Sequence, residues 1–178
     1  MATLPHPPGW VRAGLRALSR LEKAVCIAAF IGITAALFLD LAGRELLGRG
    51  IFGAQRFAVY CMVVVAFVGF ALAVEWRAHL GIDVAAKLTP AAWNPQMERL
   101  ADLTSAAACA FLGYWSWRFV AGSYKDQAMG QGLVILLWPV QSVLIWCFFS
   151  STLRHLSYAV WPSLRPGEAA DPQQVEAA

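Results

Sequence analysis

Three side chains able to move a proton or hold a metal, Glu75, His79 and Asp83, recur every four positions in the segment EWRAHLGID. On an unbroken helix this spacing stacks a carboxylate, an imidazole and a second carboxylate along one face. Such a column could serve as a proton relay or a metal site. Gly81 interrupts it and invites a bend, and the set stands at the polar end of an apolar stretch, where water already carries protons. The better reading is therefore structural: Glu75, Arg77, His79 and Asp83 fix a corner between a membrane span and a helix lying at the membrane surface. A second constellation is Asp40 with Arg44, four apart and able to pair on one helical face at the end of another apolar run. A third is His79 with His155. Together they could ligate haem only from inside a bundle core, whereas each follows an apolar stretch.

The elements that must position these residues are read from hydropathy. Residues 57–74 carry no charge over 18 positions, about 27 Å of helix against a bilayer core of about 30 Å. Val63, Val64, Val65, Phe67, Val68, Phe70 and Leu72 leave no solvated stripe, so lipid or other helices must surround this segment. The whole chain of 178 residues is 59% hydrophobic and 14% charged, with a mean hydropathy of +0.56, which is the range of multi-span membrane proteins. The net charge of +3 does not point to nucleic acid, because the basic residues cluster at span ends. Cys26, Cys61, Cys109 and Cys147 each lie inside an apolar run without CxxC or Cys/His spacing, so they read as small buried hydrophobes rather than metal ligands or disulfides. No metal, cofactor or enzymatic centre is expected.

Taken in order, the chain reads as an all-α integral membrane protein with four transmembrane helices. Residues 1–20 form a cytosolic tail whose second half could lie on the membrane as a short helix, with Val11, Leu15 and Leu18 on one side and Arg12, Arg16 and Arg20 on another. The membrane domain covers 21–161, with spans at about 22–46, 54–76, 97–119 and 133–154. The first span is expected to be retained as a signal anchor. Gly48, Gly50 and Gly53 make the turn between the first two spans. An amphipathic interfacial helix follows the second span, with Leu80, Val84 and Leu88 on one face, and stops at Thr89-Pro90. Ser105, Cys109 and Gly113, with Ala106 and Ala110, give the third span a small-residue face suited to close helix packing. Pro139 should kink the fourth span. Arg154, His155, Tyr158 and Trp161 mark its far interface, and residues 162–178 read as a disordered cytosolic tail. Nine lysines and arginines fall on the side of both termini and five on the other, which places both termini in the cytosol.

None of the four span cores holds a charged residue, so an autonomous transporter with a midplane ion or substrate site is not what these residues build. They build a compact helical module that packs on something else. In this setting the order of features resembles the small membrane subunit, DctQ type, of tripartite ATP-independent periplasmic (TRAP) transporters. The resemblance covers residues 20–160 and rests on a first span ending in a polar residue four before Arg44, a short turn, the junction Arg77, His79 and Asp83, and a fourth span with an early proline, Trp138-Pro139. The family often has Asn where this chain has Asp40, and usually a Glu opening the second span where this chain has Gln55 and Arg56. The resemblance implies a scaffold-like partner of a large permease subunit in the bacterial inner membrane. A periplasmic substrate-binding protein would deliver an organic anion of the carboxylate type, and an ion gradient would drive its uptake. It further implies that Arg44 and Arg56 face the periplasm, while Arg77, His79 and Asp83 organise the cytosolic edge. The competing readings are the small subunit of a tripartite tricarboxylate transporter and a membrane redox or metal-binding subunit using His79 and His155.

Overall fold

A computed structural model describes residues 7–75, 94–130 and 135–164. Four long helices account for most of them: α1 (Gly9–Leu47), α2 (Ala54–Glu75), α3 (Asn94–Lys125) and α4 (Trp138–Val160), followed by a single 3-10 turn at Pro162–Leu164. The predicted interfacial helix between α2 and α3 lies outside the described residues, as do Arg77, His79, Asp83 and the segment 165–178.

Each boundary has a local cause. Pro8, in an extended conformation, precedes α1 and offers its carbonyl to the Val11 amide at 3.0 Å. No breaker stands between Arg20 and Ala24, so the basic stretch expected as a separate surface helix runs straight into the first span. The result is one helix of 39 residues, about 58 Å long and roughly twice the thickness of a bilayer core. It ends where Gly48 turns left-handed at φ 68°, with its N–H bonded to the Arg44 carbonyl at 3.1 Å. Glycine tolerates that conformation without a Cβ clash.

The fourth helix corrects an expectation. Pro139 occupies the first turn of α4 and kinks nothing. The residues ahead of it fold back instead: Leu136 bridges to Met129, and the Leu137 amide bonds the Ala128 carbonyl at 3.0 Å. At this position proline removes only an N–H that would have no helical partner, and its fixed φ suits the first turn.

The helices pack as two antiparallel pairs, α1 on α2 and α3 on α4, joined where α2 meets α4. The α3–α4 seam uses the small-residue face foreseen for the third span: Asp102, Ala106, Cys109, Ser116 and Val120 are buried, and Gly113 lets Phe148 approach. Ala110 is exposed and lies off that face. Phe148 also meets Phe67 and Phe70 of α2 edge-on, with ring centroids 6.4 and 6.3 Å apart. This geometry suits the ring quadrupoles.

Small and polar side chains share the interior with valines, while the periphery carries many large apolar ones. Ala71, Cys147 and Ser151 are fully buried, whereas Phe30, Phe38, Phe111 and Phe149 are more than 60% exposed. A bilayer, unlike water, can solvate such an exterior. Two of the helices, α1 and α2, are long and apolar enough to cross a membrane.

Candidate functional site

Among the described residues, most of the buried polar side chains gather at one end of the bundle around Arg154. Its guanidinium donates to Glu22 Oε2 at 2.6 Å and Ser19 Oγ at 3.2 Å on α1, to the Ala71 carbonyl at 2.8 Å on α2, and to Ser150 Oγ at 3.0 Å on α4. Ser150 in turn donates to Glu22 Oε1 at 2.5 Å. Arg154 and Glu22 are each only 1% exposed. One arginine thus ties three helices, and both oxygens of its partner carboxylate accept a hydrogen bond, the condition under which a buried ion pair is tolerated.

Glu75 closes the last turn of α2 beside this tie, 3.8 Å from Arg154 and 3.8 Å from Lys23 Nζ. Its Oε2 is buried and accepts no hydrogen bond. The predicted column through Glu75, His79 and Asp83 therefore has one described member, and that member faces Arg154 and Lys23. On the next turn of the α3–α4 seam, His155 Nδ1 stands 3.6 Å from Asp102 Oδ1, both residues being buried.

The opposite end carries a second polar tie. Asp40 accepts from Arg44 at 2.9 Å, from the Ile51 backbone N–H at 2.8 Å and from Gln55 Nε2 at 3.4 Å. The expected Asp40–Arg44 pair is present, and it does more than neutralise charge: the same carboxylate pins the turn between α1 and α2. Gly50 makes room for it, since a Cβ there would stand 2.6 Å from Asp40 Oδ1. Arg56 and Gln55 line the open cleft beside this turn, with Phe52 at its rim, 86% exposed.

These arrangements hold helices together. Among the described residues, no group of three or more histidines, cysteines or acidic side chains could hold a metal ion.

Residues 33–165 match the DctQ component of the tripartite ATP-independent periplasmic transporters. The chain belongs to the DctQ family. It is thus a small permease subunit of a TRAP transporter and a membrane protein, from a family of transport components and not of enzymes. A comparison with curated proteins gave no match.

The DctQ match includes Asp40, Arg44, Arg56, Glu75, Pro139 and Arg154, and begins after Glu22. By hydropathy Arg154 and His155 mark the far interface, and Glu22, Ser19, Asp102 and Ser150 show no sign of a shared site. The missed signal was complementarity at equal depth. Ser19 and Glu22 lie three apart at the start of the first span, and Ser150 and Arg154 lie four apart near the end of the last. An up-and-down bundle brings those two ends level.

Proposed function

We propose that this DctQ subunit is the immobile scaffold of its transporter. It supports a large permease subunit that imports an organic anion of the carboxylate type, which a periplasmic binding protein delivers and an ion gradient drives. All four helices cross the inner membrane, with both termini in the cytosol. Beyond the family, the observation that carries this reading is the use to which the buried charges are put. Glu22, Arg154 and Asp40 are all consumed in ties between helices or to a turn, which stiffens a frame and leaves none of the three for a substrate path. The large apolar exterior supplies both a lipid-facing surface and a face for the permease. Arg44 and Arg56, beside the exposed Phe52, would meet the large subunit or the binding protein on the periplasmic side. On sequence grounds, Arg77, His79 and Asp83 would organise the cytosolic edge.

The test is affinity purification of the tagged chain from its native membrane in mild detergent, followed by mass spectrometry. A many-span membrane protein recovered in equal amount is the expected result. Recovery of the chain alone, stable and holding a ligand or cofactor of its own, would overturn the proposal.

A further inference from the structure

An open cleft of about 370 Å³ lies at the end of the bundle that holds Arg154. α1 lines it with Arg12, Leu15 and Arg16, α2 and α4 with Glu75 and Arg154, and the 3-10 turn with Leu164. Its charge is unbalanced. Glu75 and Arg154 are compensated by each other and by Lys23 and Glu22. Arg12 and Arg16 are exposed, and among the described residues neither makes an ion pair. Arg16 donates to the Arg12 carbonyl of its own helix at 3.3 Å. The two arginines stand one turn apart on one face of α1, about 6 Å, and Leu15 shares that face.

Depth decides what can answer these charges. Asp40, in the polar tie at the other end of α1, is 28 residues from Arg12 and 24 from Arg16, about 42 and 36 Å of helix. A hydrocarbon core of about 30 Å that begins at Asp40, followed by a headgroup layer of about 5 to 7 Å, ends near Arg16 and short of Arg12. A lipid phosphate therefore meets at most the nearer arginine, whereas a peptide rising from the membrane beside α1 can meet both. We infer that the cleft is the docking site for an acidic segment of the large permease. Two of its carboxylates pair with Arg12 and Arg16, and an apolar side chain packs between Leu15 and Leu164. Charge complementarity carries the choice, since guanidinium and carboxylate match with two parallel hydrogen bonds and such pairs fix the register of an interface. The carboxylate of Glu75 keeps the acidic segment at the rim by repulsion. The inference rests on the scaffold reading, which supplies a permease at the same membrane edge.

The test places a photoreactive p-benzoylphenylalanine at Leu15 of the tagged full chain, or at Ala17, exposed on the other side of α1. Native membranes are irradiated, and the adducts are purified and mapped by mass spectrometry. The expected result is an adduct from position 15, absent from position 17, to a stretch of the copurifying permease that carries at least two aspartates or glutamates. R12Q/R16Q should lower its yield roughly tenfold, from about threefold for each rim ion pair, and R12K/R16K should restore most of it. The inference is overturned if position 15 captures no such stretch. That holds whether the probe finds lipid, a permease segment without acidic residues, this chain's own residues 165–178 with Glu168 and Asp171, or nothing. An unchanged yield in R12Q/R16Q overturns it as well. In all these cases the permease still copurifies and the scaffold reading stands, whereas absence of any permease from the purified material sinks both.

Discussion

At the residue scale, the Glu22–Arg154 pair separates two kinds of role that buried charge can take. A group meant for transport is left accessible to an ion or substrate, whereas these two side chains are saturated by each other, by Ser19 and Ser150, and by the Ala71 carbonyl. Removing one partner strands the other in a low-dielectric interior, which costs about 3 to 5 kcal/mol, while replacing both by apolar groups of similar volume is often close to neutral. Arg154→Met alone should therefore lower the thermal stability of the detergent-solubilised protein severely, and Glu22→Leu with Arg154→Met together should restore most of it. If the double variant is as stable as the natural protein and still assembles with its permease, the pair is structural. If it is stable but transport is lost, one of the two charges acts in the cycle. Neither charge was legible as part of a pair in the sequence. They lie 132 positions apart, each at the edge of an apolar run, where an interfacial anchor is the commoner role.

At the scale of elements, what the sequence made legible was the existence of the helices and the chemistry of their packing faces. The ends of the helices were harder to read. The second helix was expected at 54–76 and is found at Ala54–Glu75, and the small-residue face of the third packs on α4. The fourth helix was misplaced because LVILLWPV is apolar on both sides of Trp138, and hydropathy cannot distinguish an apolar helix from an apolar strand-like return leading into it. The first helix runs on ahead of the span expected at 22–46, since a run of arginines at regular spacing looks the same in a surface helix and in the projecting end of a long one. The placement of Pro139 gives a direct check. A proline inside a helix costs about 3 kcal/mol, so its replacement there would be stabilising. At the first turn it is pre-organised, and Pro139→Ala should cost no more than about 1 kcal/mol through the unfolded chain. Circular dichroism should find unchanged helix content in Pro139→Ala, with Leu144→Pro as the control that loses both helix and stability. A gain in stability of several kcal/mol for Pro139→Ala would return the proline to mid-span.

At the scale of the whole molecule, the two polar ties sit at opposite ends of an antiparallel arrangement, and that polarity makes the membrane topology testable at three positions. The turn after α1 presents Phe52, 86% exposed, and the turn after α3 presents Asp126, also exposed. Ser163 lies exposed beyond α4, at the end of the bundle that holds Arg154. With four crossings and the lysine and arginine excess on the cytosolic side, Phe52→Cys and Asp126→Cys should react with a membrane-impermeant maleimide in intact spheroplasts. Ser163→Cys should react only in inverted vesicles. Cys26, Cys61, Cys109 and Cys147 are first replaced by alanine, a change that Cys147, fully buried between helices, will feel most. If Phe52→Cys reacts in spheroplasts while Asp126→Cys and Ser163→Cys both react only in inverted vesicles, neither α3 nor α4 crosses and the bundle is a two-span protein with a peripheral hairpin. If all three positions react from the opposite faces, four spans stand but the orientation is reversed. Arg44, Arg56 and Phe52 would then face the cytosol, beyond reach of a periplasmic partner. The labelling pattern therefore decides which end of the scaffold a binding protein can touch, and it does so before any partner has been identified.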